Sequence, residues 1–445
     1  MVAIQVLGVL VVTLGGVLYL WRYREEGIAA LYFNGTWLFF LLGDLAGVLI
    51  PTLVTGLFQV TTGTLAMCLW LRARPREQGL ELPRTVSFAW AAMFLLALFW
   101  LTHHLLERSA YSLLIHREYY KWAFAFVRWM LPLSMGLLFP LSAHRIQRFL
   151  RAVGILGLVT AGFVIVAYFS GLASVSGTGS RYMFTEKVGE TYAAAASIGI
   201  GAVLGGYLVA QGRLTVRRLV FVLSSLLVLF TAAVLSGTRS TVLFAFMVTL
   251  VALGFFRIRY MLFAAAGFAA AAGLVFFVIA PTLPTGVVGR ALSWEMIMRG
   301  ANQRLYMAKQ SLKILEESPA IGRTLGLQDV IDAPFSHNFT LQVLVETGLL
   351  GWGLYLAGFA MIVVKLCRMI ARKGTALFQI GAPLFVLAFM NFLEAHAHAS
   401  LMNLQMWMIL GLIAGHSIRG WEHPYIEEEW QDESEAAWLP EIQRA

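Results

Sequence analysis

The chain has 445 residues, 59% of them hydrophobic and only 13% charged, with a mean hydropathy of +0.75. A soluble chain carries about 25% charged residues, so a water-soluble globular protein is excluded. The net charge of +9 sits in short basic clusters between apolar runs, as expected of cytoplasmic loops; it gives no reason to expect nucleic acid as a partner.

Apolar segments fall near residues 3–21, 30–50, 53–71, 86–105, 121–142, 150–170, 191–210, 218–236, 240–256, 260–280, 341–366, 376–394 and 400–417. Each approaches the length that crosses a hydrocarbon core, about 20 residues for about 30 Å. The expected fold is an all-α polytopic integral membrane protein of about 12 or 13 transmembrane helices. The first run, "MVAIQVLGVLVVTLGGVLYLW", lacks a basic n-region and an obvious cleavage site and is followed by "RYREE". It reads as a retained span, not a cleaved signal. Between the second and third runs, "LAGVLIPTLVTG" reads either as a tight turn or as part of a re-entrant pair.

Basic clusters at "RARPR" (72–76), "HRIQR" (144–148), "GRLTVRR" (212–218), "RIR" (257–259) and "RMIARK" (368–373) all fit one face. Placing them in the cytoplasm gives a consistent alternation with the C-terminus inside. Cys68 and Cys367 lie in or at the end of spans and suggest neither a disulfide framework nor a metal site.

The opposite, outer face then receives residues 106–120, 171–190 and 281–337. The last is the longest loop, and long loops in compact folds are usually functional. Within it Ala301, Leu305, Ala308, Leu312 and Leu315 recur at helical spacing, predicting an amphipathic helix over about 293–317. "SP" at 318–319 stops that helix and "IGRTLG" turns after it. Such a helix can lie on the membrane surface and cover a cavity. Residues 420–445 form an acidic tail, expected to be cytoplasmic and weakly ordered.

The chemistry-bearing residues gather on the outer face. His337 stands where the long loop enters the span beginning near 341. A partly wet imidazole there can take or give a proton, although a histidine at such a boundary also serves simply as part of a helix start. Asn338 or Ser336 can cap that helix, whose N-terminus favours anions. Glu346 follows within the same helix, on roughly the opposite face from His337, and either pairs with another helix or takes part in chemistry.

Four arginines accompany them. "LSGTRST" puts Arg239 in a short outer turn, and Arg304 lies beside the apolar stripe of the loop helix. Arg181 follows "SGTGS" in the preceding outer loop, and Arg128 lies inside the fifth span. Guanidinium groups bind phosphate bidentately, while the bland alternative for each is snorkelling to lipid headgroups. "HHLLE" (103–107) and "EAHAH" (394–398) lack the spacing of an established zinc motif, so no metal is expected, and His396 is instead a candidate for lining the cavity. "NGT" and "NFT" match the glycosylation sequon but adjoin or lie within spans.

The order "SGTRST", "RLY", "ESPAIGRTLG" and "HNFTLQVLVETGLLG" resembles the O-antigen ligase and polymerase superfamily of bacterial inner-membrane glycosyltransferases. The resemblance runs over about 230 to 355, with Arg323 standing between glycines where the family is often smaller. It implies a GT-C-like membrane enzyme, needing neither metal nor nucleotide cofactor, that moves a glycan from undecaprenyl diphosphate. The implied donor is undecaprenyl-diphosphate-linked O-antigen, and the implied acceptor is lipid A–core, at the periplasmic face of the bacterial inner membrane. By the same resemblance His337 corresponds to the family histidine, and Arg239 and Arg304 to its two periplasmic arginines. Residues 1–220 then hold N-terminal spans, 221–418 the ligase-type region including loop 281–337, and 419–445 the tail. O-antigen polymerase, protein O-oligosaccharyltransferase and a lipid-linked glycan flippase are the alternative readings. A transporter should carry broken or charged helices near the midplane, whereas here the polar groups concentrate at one face.

Overall fold

Inside a hydrocarbon layer the backbone must satisfy its own hydrogen bonds, and a helix does so within one segment. A computed structural model describes residues 2–35, 52–72, 84–109, 119–139, 142–169, 173–175, 182–184, 187–188, 190–209, 216–235, 239–256, 259, 262, 266, 294–323, 338–398 and 404–415. Its helices are α1 (Val2–Asn34), α2 (Thr52–Arg72), α3 (Arg84–Ser109), α4 (Tyr119–Leu138), α5 (Ala143–Phe169) and α6 (Glu190–Val203). They continue with α7 (Val216–Leu235), α8 (Arg239–Gly254), α9 (Trp294–Glu317), α10 (Phe339–Ala371), α11 (Ala376–His398) and α12 (Leu404–Gly415). α6 runs on into a π-helical turn, Leu204–Leu208.

Among the described residues, four helices are long and apolar enough to cross a membrane: Ala143–Phe169, Val216–Ala233, Phe339–Ala371 and Leu377–His396. Five shorter apolar helices accompany them. The chain is a helical polytopic membrane protein. The spans expected near 30–50 and 260–280 fall almost wholly outside the described residues.

One small departure from an all-helical fold lies between α5 and α6. β1 (Ala173–Val175), β2 (Tyr182–Phe184) and β3 (Lys187–Val188) form an antiparallel sheet in the order β1-β2-β3, with Ala173 opposite Phe184 and Met183 opposite Val188. Strands of two or three residues are too short to leave a readable alternation in the sequence.

Two apolar cores share α11 as their common wall. Leu384 and Leu387 face a core built around Trp70, Trp100, Trp129, Trp407 and Phe339. Val386 and Met390 face a second, with Leu229 and Val248. α4 and α12 approach until their backbones touch: a Cβ at Gly136 would meet Leu412 N at 2.5 Å and Gly411 C at 2.8 Å. Small residues allow helices this separation, and it brings Trp407 to 4.3 Å from Trp129 between ring centroids.

α1 bends at Arg24, the one non-glycine residue with positive φ (48°) among those described. Beyond the bend, Glu26 meets Arg145 at 3.6 Å and Arg148 at 3.6 Å, Glu25 meets Arg145 at 3.5 Å, and Arg148 donates to the Arg22 carbonyl at 3.2 Å. The bent segment is thus strapped to the start of α5.

Candidate functional site at the mouth of α10

Asn338 opens α10 in an extended conformation (φ −146°, ψ 112°), and its side-chain oxygen accepts from Leu341 N at 3.0 Å. The cap is as expected. His337, the preceding residue, lies outside the described residues, as does Arg181.

One residue into the helix, Phe339 is fully buried and sits among Tyr355, Trp407 and His396, with centroid distances of 5.8, 5.7 and 6.3 Å. Thr340 Oγ1 lies 2.7 Å from His396 Nε2 on α11, while His396 Nδ1 lies 2.7 Å from the Phe392 carbonyl. A carbonyl only accepts, so Nδ1 carries a proton. In the neutral ring Nε2 is then bare and accepts from the Thr340 hydroxyl. His396 therefore stands at the mouth, where it holds the first turn of α10.

Two turns on, Glu346 accepts from Trp100 Nε1 of α3 at 2.6 Å and from Gln342 Nε2 at 2.5 Å. Of the two roles open to it in the sequence, the geometry is that of helix pairing.

α10 then breaks. Gly348 has φ 61° and ψ −167°, a conformation essentially reserved for glycine. In a continuous helix Leu349 N and Leu350 N would bond to the carbonyls of Val345 and Glu346. Here Leu349 N donates to Pro319 O at 2.9 Å and Leu350 N to Ala320 O at 3.1 Å. The two abandoned carbonyls are taken up in turn, Val345 O by Arg323 N at 2.8 Å and Glu346 O by His103 Nδ1 at 3.2 Å. All four freed groups have partners, as buried backbone requires. A 33-residue helix would measure about 50 Å, longer than a membrane's hydrocarbon. After the break the piece from Leu349 to Ala371 is still about 34 Å long at 1.5 Å per residue, enough to cross by itself.

The turn that fills the break is "SPAIGR", directly after α9. Gly322 (φ 72°) lies against Gly348, and the Arg323 guanidinium closes back on Glu317 at 3.0 Å. α9 matches its predicted extent, and its apolar stripe is distinct from the face that packs. Leu305 and Leu312 are 56% and 49% exposed, whereas Met307, Ser311 and Ile314 are buried, with Ile314 against Val345 and Leu341. The buried face is the one presented to α10. Periodicity located an apolar face without showing what covers it. Arg304 is exposed, one turn before Met307 and on the same side of the helix.

Arg239 begins α8. Phe255, just past the end of α8, packs against Phe378 at 5.9 Å near the start of α11, so the two helices run antiparallel. Arg239 is thereby at the end of the bundle where His396 lies. Arg128 directly precedes the buried Trp129 in α4; of the side chains of Arg128 and Arg239 nothing is described. Thr340, Trp100, Gln342 and Gly322 were not singled out from the sequence. The histidine pair in "HHLLE" was noticed as a metal candidate, and His103 serves the backbone of α10 instead.

Fold and site together define a polytopic helical membrane protein in which a loop helix packs onto the first turns of one span. Residues 224–356, from within α7 to the middle of α10, match the O-antigen ligase family. The match covers 133 of the 445 residues and supports an O-antigen ligase- or polymerase-type function for that region. Comparison with curated proteins returns no match.

Proposed function

We propose that the protein is an O-antigen ligase, moving glycan from undecaprenyl diphosphate to a sugar hydroxyl of lipid A–core at the periplasmic face of the inner membrane. The observation that carries this reading is the packing of α9, which bears Arg304, onto the first turns of α10, whose cap directly follows His337.

A sugar hydroxyl is a poor nucleophile until a base takes its proton. The His337 imidazole removes that proton as the new C–O bond forms at the donor's anomeric carbon, help of the kind worth about 10²–10⁴-fold. The bond from that carbon to the diphosphate oxygen breaks, and the diphosphate leaves with the electron pair. Arg239 and Arg304 meet its growing charge with fixed donors, so neither metal nor nucleotide is required. Arg181, Arg128, Asn338 and His396 serve the substrate side of the site. Attack opposite the leaving group inverts the anomeric centre.

The test incubates purified protein with undecaprenyl-diphosphate-linked O-antigen and lipid A–core and resolves the products on a gel. A ladder of glycan-bearing lipid A–core, lost in His337→Ala, is expected. Longer glycan still on undecaprenyl diphosphate would identify a polymerase, glycan on a protein acceptor an oligosaccharyltransferase. No new covalent product from folded, donor-binding protein would point to a flippase.

A further inference from the structure

We propose that the turn 318–323 and the break at Gly348 form a clasp that sets the position of α9 on α10, making Gly322 and Gly348 positioning residues for the transfer. The proposal rests on the ligase reading for its functional consequence, but the clasp itself is a matter of backbone geometry.

Three features mark it as a fitted joint. First, it exchanges hydrogen bonds in both directions: α10 donates to Pro319 and Ala320, and Arg323 donates back to Val345. Second, both glycines are enclosed by backbone that no rotamer change can move. A Cβ at Gly348 would meet Ala320 C and Gly322 N, each at 2.5 Å, and one at Gly322 would meet Thr347 N at 2.7 Å. A Cβ at Gly353, one turn and a half further along α10, meets nothing within 4 Å. Third, it adjoins the apolar contact between the two helices, the cluster of Ile314, Val345 and Leu341 among the described residues. Breaking a helix in this way would be costly if its four freed groups went unpaired. The docked turn partners three of the four, His103 the fourth, and the break in turn holds the loop.

The consequence is spatial. α9 carries Arg304 and is tied to α10 at its C-terminal end, while α10 carries Asn338 at its own start. Prising the clasp apart leaves each residue intact but shifts α9 against the mouth. A misplacement of about 1 Å is enough to cost on the order of 10²-fold in rate.

The test uses the full chain in lipid nanodiscs with the exposed Cys68 and Cys367 replaced by alanine. Ile314→Cys and Val345→Cys then report the α9–α10 contact by oxidative cross-linking. Gly322→Ala, in the loop and outside the spans, should cut turnover on the order of 10²-fold and slow cross-linking on the order of tenfold, with Gly353→Ala as the unaffected control. Once the slow cross-link has formed, turnover should return to near that of the cross-linked parent, and reduction should abolish it again. A mere folding defect would not toggle in this way. Gly348→Ala should behave alike where it folds; where it does not, Gly322→Ala decides. Unchanged cross-linking in Gly322→Ala, or turnover that the cross-link fails to restore, overturns the proposal. If the parent transfers no glycan, the ligase reading has failed, and the cross-linking rate alone still decides whether the clasp exists.

Discussion

Thr340 and His396, 56 residues apart in sequence, meet at 2.7 Å, and the imidazole is oriented by a second contact of 2.7 Å to the Phe392 carbonyl. The ring also lies 3.9 Å from the Phe392 ring between centroids. It can therefore neither rotate nor change tautomer without losing a bond. His396→Ala and Thr340→Val should each slow transfer on the order of tenfold, and the double variant should be no worse than either alone. The shared bond then corresponds to a coupling of about 1.4 kcal/mol, one tenfold effect. Additive losses in the double-mutant cycle would mean that His396 acts on substrate independently of Thr340.

Glu346 and Trp100 tie α10 to α3. Trp100 is 2% exposed, so Trp100→Phe removes a donor where water does not readily replace it. The expected loss is about 1.5–3 kcal/mol, the range for hydrogen bonds to a charged or buried partner. It should appear as a lowered midpoint in thermal unfolding in detergent. Glu346→Gln keeps an acceptor for Trp100 and should lose less than Trp100→Phe. If Glu346→Gln instead abolishes transfer with the midpoint unchanged, Glu346 belongs to the chemistry and not to the packing.

These two contacts mark where the sequence stops being informative. The helices were legible because their apolar runs are continuous, and the Asn338 cap because capping is settled within three residues. Glycines in "SPAIGR" and "ETGLLG" were legible as a turn and as packing. That they fill one another was not, since neither string contains a hint of the other's position. The packed face of α9 was not legible for a related reason. Ser311 is buried and Leu312 exposed because α10 packs against one side of α9, and that side is a tertiary fact. Trp100–Glu346 spans 246 residues, and no local pattern encodes such a pair.

The strap at Glu26 yields a pH dependence. Burial pushes the Glu26 carboxyl above its ordinary 4.5, and Arg145 and Arg148 pull it only partly back. The folded state thus binds this proton more tightly than the unfolded state. Stability from Glu26 is accordingly greatest below 4.5 and falls as pH rises through the folded value, levelling off above it. Glu26→Gln has no such proton. The midpoint difference between wild type and Glu26→Gln should shift against wild type as pH is raised from about 4 to 8. A difference independent of pH, or one that moves in wild type's favour, would show that the two arginines outweigh burial.

Arg304 separates the ligase reading from a merely electrostatic one. α9 carries Arg299, Arg304, Lys309 and Lys313, all exposed. Arg304 shares a side with Met307 and Ser311, the face that packs, while Lys309 and Lys313 point the other way round the helix. A general attraction for anionic lipid would depend on all four about equally and would weaken with salt. A donor aimed at a leaving diphosphate would depend on Arg304 alone, and on its fork as well as its charge. Arg304→Ala should therefore lower kcat by about 10²–10³-fold, the usual cost of removing one fixed donor to developing charge. Arg304→Lys should recover only part of that loss, whereas Lys309→Ala and Lys313→Ala should stay within about twofold. The loss should fall on kcat more than on the KM for donor, because a contact that strengthens in the transition state does little for ground-state binding. Equal losses at all four cations, or an Arg304→Ala effect confined to KM, would place Arg304 in lipid binding and leave the leaving group to Arg239.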